Sequence, residues 1–128
     1  MQKNIISTNK APKAIGPYSQ AVRFNNLLFI SGQIPIEPRS GAILAVNIKE
    51  QTKQILENLN SILTAGESSL NNVLRVTIFL TNLDDYAAVN EVYKQFFEES
   101  KPARSTVQVS KLPMDVQIEI DAIAGINT

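Results

Sequence analysis

The chain has 128 residues, 44% of them apolar, the size and make-up of one domain (residues 1–128) with its own core. Twelve Lys and Arg balance twelve Asp and Glu, a formal net charge of zero, so no global field favours a phosphate backbone and nucleic acid is not the first-choice partner. With no Cys and no His, disulfides, thiolate nucleophiles, imidazole bases and the usual zinc or haem ligand sets are excluded, and proton transfer falls to Asp, Glu, Lys, Tyr or water.

No apolar run approaches the ~20 residues that cross a bilayer, and the first ten residues, MQKNIISTNK, lack the apolar region of a secretory signal. No membrane partner is expected, and a cytoplasmic location is the default. Residues 1–36 lack acids but carry only Arg23 among arginines, a poor fit to a transit peptide, although an organelle stays open for a eukaryotic source. Nothing has the Asp/Asn spacing of a calcium loop.

In chain order, Lys3–Ser7 reads as a short strand, and Ala11–Gln20 as a loop stiffened by Pro12, Gly16 and Pro17. Tyr18 in that loop is either a fixed aromatic wall or a ring covering the edge of the core. Ala21–Phe24 and Leu27–Ser31 flank Asn25-Asn26, whose tolerance of positive φ predicts a tight hairpin. Leu27–Ile30 are apolar in succession, so both faces of that strand want cover. The strand runs into Ser31-Gly32, where Gly32 permits either the close approach of a ligand or backbone, or a bulge. A second turn is predicted within Glu37–Ala45.

Asn47 and Glu50 make a capping-box-like start to a helix over Ile48–Ala65, with Ile48, Ile55, Leu59, Ile62 and Leu63 at helical spacing and Gly66 as its stop. Lys49, Lys53 and Glu57 read as its solvated face. Val73–Leu80 is a strand with Leu74, Val76, Ile78 and Leu80 on one side and Val73, Arg75, Thr77 and Phe79 on the other. Asn82 or Asp84 caps a second helix whose stripe Tyr86, Val89, Tyr93, Phe96 and Phe97 reads as core; Asn90 beside it either bonds backbone or reaches a site.

Pro102 ends that helix. In Ser105–Val109 the side chains alternate, with Arg104, Thr106 and Gln108 opposite Ser105, Val107 and Val109; in Val116–Ala122, Gln117, Glu119 and Asp121 lie opposite the apolar row. Paired as a hairpin with their apolar rows on one core, these strands put Arg104 and Glu119 on the same non-core face. That pair is either an anion site beside an acid/base group or an ordinary surface pair contributing ~0–1 kcal/mol. The element order indicates an α+β domain, two helices on one face of a mixed sheet. The other face mixes Phe79 and Val73 with Arg75, Thr77, Gln117 and Glu119, which predicts a homo-oligomer with any pocket between subunits.

Five blocks, IleGlyProTyrSerGln (15–20), SerGlyGlnIleProIle (31–36), AlaValAsnGluValTyr (88–93), ProAlaArgSer (102–105) and ValGlnIleGluIleAspAlaIleAla (116–124), resemble in order those of the RidA family, also called YjgF. The resemblance spans the chain. It implies a chorismate-mutase-like six-stranded sheet and a homotrimer whose sheets close a central barrel. It also implies cofactor-free hydrolysis of enamine/imine intermediates, such as 2-aminoacrylate/2-iminopropanoate and 2-iminobutanoate, to 2-oxo acids and ammonia. By position, Arg104 would hold the small acid's carboxylate and Glu119 would orient water, while Tyr18, Ser31, Gly32 and Asn90 fall on pocket positions. Two departures stand out: Thr106 where the family often has Cys, and Tyr86 where Phe is common. Both count as substrate contacts here. Relatives are also associated with carboxylate-binding regulation, holdase activity or RNA cleavage and translation inhibition, and these remain the alternatives.

Overall fold

A computed structural model describes residues 2–44 and 46–127. Met1 and Thr128, the ends of the expected domain, and Ala45, the last residue of the predicted second turn, lie outside the described residues. The strands are β1 (Lys3–Ile6), β2 (Ala21–Phe24), β3 (Leu27–Gln33), β4 (Val73–Leu80), β5 (Ala103–Gln108) and β6 (Ile118–Gly125); the helices are α1 (Ile48–Ala65) and α2 (Tyr86–Phe97). One six-stranded sheet runs β1-β2-β3-β6-β4-β5, antiparallel except for the parallel pair β4–β5. The α+β expectation, two helices with a mixed sheet, is borne out.

The local signals act as read. Asn25 takes φ 55° in the two-residue link that joins Phe24 to its partner Leu27. The Asn47 side chain accepts from the Glu50 N–H at 2.9 Å, and the Gly66 N–H closes α1 onto Ile62 and Leu63. α1 buries Ile55, Leu56, Leu59, Ile62 and Leu63 against Leu28, Ile30, Val76, Ile78, Ile118 and Ile120 of the sheet. Lys49 is more than a solvated residue: its Nζ meets Glu91 Oε2 at 2.6 Å and links α1 to α2.

Two expectations about the C-terminal strands fail. β5 and β6 do not form a hairpin, because β4 lies between them. The chain between them, residues 109–117, is too long for a hairpin turn and includes a 3₁₀ turn at Pro113–Asp115. Nor do Arg104 and Glu119 share a face. Arg104 is paired with Val76, and Val76 with Ala122, both buried under the helices; Glu119 is paired with Phe79 on the open face. β5 is an edge strand whose apolar Val107 is 41% exposed, so its apolar row does not mark the core. A bulge at Leu74 produces a further difference: Val73 turns into the core at 4% exposure while Leu74 points out at 52%.

Candidate functional site

Two groups of side chains stand apart on the molecule. The first gathers where the Ala11–Gln20 loop passes the bulge of β3. The β3–β6 register slips between Ile30 and Gln33, so Ser31 and Gly32 together oppose Asp121. Gly32 therefore serves both roles read from the sequence, bulge and close approach. A Cβ there would lie 2.8 Å from Glu119 Cδ and closer still to Oε2. Only glycine leaves room for the carboxyl to rest on this backbone. Tyr18, Gly32 and Glu119 line one pocket with Lys13, Ile15, Pro113 and Met114. The Ser31 hydroxyl turns back to donate to the Ser19 carbonyl at 2.6 Å, which braces the loop that carries Tyr18.

Gln20 is the clamp of that loop. Its Oε1 accepts from the Thr8 N–H at 2.7 Å, and its Nε2 donates to the carbonyls of Thr8 and Pro12 at 3.0 and 2.7 Å. It is 4% exposed. Sequence reasoning missed it; the available signal was an amide placed among proline-rich backbone that has carbonyls to spare.

Glu119 is half-buried, and among the described residues no cation stands within ion-pairing distance of it. Burial lifts its pKa above the ordinary value, and the neighbouring Asp121 charge lifts it further. Asp121 is raised as well, chiefly by burial, with Thr77 and Arg75 opposing.

The second group surrounds Arg104 on the helix side of β5. Nη1 donates to Asn90 Oδ1 at 2.9 Å and Nη2 to the Tyr86 hydroxyl at 2.7 Å. The guanidinium carbon stands 4.6 Å from the centroid of the Tyr93 ring and 5.6 Å from that of Tyr86. Asn90 thus reaches a site. Tyr86, expected as core, is 43% exposed because α2 turns its first residue toward Arg104 on the edge strand β5 rather than toward the middle of the sheet. Tyr93 is both core, at 7% exposure, and a platform for Arg104, a role its apolar stripe concealed. Thr106 shares Arg104's row opposite Ile78, and its Oγ1 is buried with no hydrogen-bond partner among the described residues. The structure thus brings Tyr86, Asn90, Arg104 and Thr106 to one side of the sheet, and Tyr18, Gly32 and Glu119 to another place.

The sequence profile of a family described as Endoribonuclease L-PSP matches residues 8–126. This chain belongs to that family, the RidA family. Among RidA-family proteins, a RutC family protein of Pyrococcus horikoshii is 57% identical over 122 residues, 95% of this chain and 97% of the relative. The 2-iminobutanoate/2-iminopropanoate deaminase of Mus musculus is 46% identical over 122 residues, 95% of this chain and 90% of the relative. The crystal structure of Escherichia coli TdcF with bound serine superposes with a TM-score of 0.91 at 46% identity, covering 97% of this chain and 99% of that one. The RidA fold read from the five sequence blocks is therefore the fold of this chain. Among the described residues no helix is long and apolar enough to cross a membrane.

Proposed function

We propose that this chain hydrolyses small reactive 2-imino acids and their enamine tautomers to 2-oxo acids and ammonia, in a site completed by two copies of the chain. The observation that carries this reading is the division of the candidate groups. Arg104, with Asn90 and Tyr86, stands on the helix side of an edge strand, while Glu119, with Tyr18 and Gly32, stands on the open side. Each group is half of what the reaction needs. A homotrimer whose open faces close a central barrel would bring the Arg104 half of one copy to the Glu119 half of the next. The open face carries Leu27, Phe29 and Val107, each more than a third exposed, which favours such burial. The names of the mouse deaminase and of serine-bound TdcF support a small amino-acid-derived ligand.

In this reading the chemistry follows from the two halves. The planar guanidinium holds the substrate carboxylate through two charge-assisted hydrogen bonds, each contributing roughly 1.5–3 kcal/mol. Asn90 and Tyr86 take one hydrogen each from the terminal nitrogens and so fix the plane of the fork before substrate arrives. Glu119, made more basic by burial, takes a proton from water as the water oxygen bonds to C2. It returns that proton to nitrogen; the new hydroxyl's proton then passes to the same nitrogen as the C=O bond forms and the C–N bond breaks, so one ammonia leaves for each water consumed. Tyr18 walls the short side chain, Ser31 holds its loop, and Thr106 offers a hydroxyl beside Arg104.

Subunit mixing tests the proposal. Arg104→Ala and Glu119→Gln, assayed separately on 2-aminoacrylate generated in situ, each lose turnover. After the two are unfolded and refolded together, random assembly restores about a quarter of the sites. Silence in the mixture would refute the shared site; wild-type turnover in Arg104→Ala would refute the deaminase reading itself.

A further inference from the structure

We propose that Ile15 and Met114 form an apolar side-chain subsite beside Glu119, so that this chain favours 2-imino acids with a linear apolar side chain of propyl to butyl length over 2-iminopropanoate. The inference rests on the reading of the Glu119 pocket as half of a deaminase site and adds the substrate class. Ile15, at 84%, and Met114, at 66%, are the two most exposed of the large apolar side chains among the described residues. They come from opposite ends of the chain, yet both line the pocket that Glu119 lines, a cavity of about 290 Å³. Exposed apolar groups gathered round a concavity mark a ligand site, whereas the same groups scattered singly would not.

The polar groups of the lining are largely spent on the chain itself. Gln20 donates from Nε2 to the carbonyls of Thr8 and Pro12, and Gln33 from Nε2 to that of Ser31 at 3.1 Å. Away from Glu119, a ligand therefore meets mostly hydrocarbon from Ile15, Ile34, Met114 and the Tyr18 ring, with Lys13 the only other charged group in the lining. Backbone strain fixes Met114 in that wall. Met114 and Asp115 hold φ 57° in succession, a left-handed conformation that is costly for a residue with a Cβ. Buried Leu112 and Val116 pin the turn on either side, and the Asp115 N–H closes it on the Leu112 carbonyl at 3.1 Å. Strain of this kind persists where the surroundings over-determine it, and it gathers at ligand clamps. The unbranched thioether adapts to a chain lying against it. Ile15 stands as firmly, one residue before Gly16 at φ 117° in the loop that Gln20 clamps. With the carboxylate on Arg104 of the adjacent copy and C2 at Glu119, a methyl side chain stops at Tyr18, while a butyl or 2-methylthioethyl chain runs on between Ile15 and Met114.

Imines generated in situ by an L-amino-acid oxidase, with catalase present, from alanine, norvaline, norleucine, methionine and glutamine test this, with keto-acid release by the full-length protein measured above the uncatalysed rate. Burial of each methylene contributes about fourfold. The kcat/KM for the norleucine imine is therefore expected to exceed that for the alanine imine at least about tenfold. Methionine should lie close to norleucine, and glutamine, of similar length but polar, close to alanine. The preference is expected to fall to within a few-fold in Ile15→Ser and in Met114→Asn, asparagine being at ease at positive φ, and to survive in Met114→Leu. Equal kcat/KM for the alanine and norleucine imines in the wild type, or a preference unchanged in both polar variants, would overturn the subsite. So would an equal loss on every imine with dissociation of the assembly, since Ile15 and Met114 would then be packing the seam between copies. A wild type that accelerates none of these imines would instead overturn the deaminase reading on which the subsite rests.

Discussion

Glu119 combines burial with a like charge at Asp121, and among the described residues no cation pairs with it; each of these favours its protonated form. Two outcomes follow. The acid limb of kcat/KM for imine hydrolysis lies above the ordinary carboxylate value of 4.5, because the base must be ionised to act. The thermodynamic sign is the opposite of that for a salt-bridged acid. A carboxyl whose folded pKa exceeds its unfolded one binds its proton more tightly when folded, so its contribution to stability falls as pH rises from the unfolded pKa through the folded one. Glu119→Gln is therefore expected to lose turnover by about a hundredfold or more while melting higher than wild type at neutral pH. A variant that melts lower would contradict the desolvation account. Gly32→Ala tests the same carboxyl through its neighbour: the added methyl displaces Glu119, so activity collapses while circular dichroism stays native. Glu119 itself was legible from its sequence block, but its unpaired, half-buried state was not, because that depends on a strand bulge more than eighty residues earlier in the chain.

Among the elements, α1 was legible in full, since its cap, stripe and stop are local signals separated by helical spacing. Asn47→Ala removes the acceptor of the Glu50 N–H and is expected to cost about 1 kcal/mol in denaturant unfolding. Gly66 has a second role that spacing does not reveal. A methyl there would lie 2.6 Å from Leu28 Cδ2, in a side chain with no exposed surface. Gly66→Ala is therefore expected to destabilise by about 1–3 kcal/mol through overpacking, although its φ of −87° suits any residue. β5 was legible as an alternating strand but not as to which row faces the core. Alternation has a period and no direction, and an edge strand under the end of α2 is too thinly covered for burial to select its apolar row.

On the scale of the whole molecule, the proposed trimer rests on the open face. Leu27 and Phe29 on β3 share it with Thr77, Phe79, Asp121 and Glu119, with Arg75 Nη2 bonded to Ser105 Oγ at 2.7 Å on the β5 side. Phe29→Glu puts a charge into the proposed seam, and sedimentation is expected to shift from trimer toward monomer with turnover lost in step. A fully active monomer would sink the shared site. The sequence by itself determined the family, the α+β class and the ends of α1, and it named the candidate residues, because motifs and caps are written in neighbours a few positions apart; α2 instead begins at Tyr86, after a 3₁₀ turn that Asn82 caps. Only the tertiary structure decided that Arg104 and Glu119 stand on opposite sides of the sheet. That separation depends on which row β5 turns toward the helices, fixed by its register with β4, Arg104 against Val76 and Val107 against Phe79, a long-range pairing that no local pattern in β5 carries.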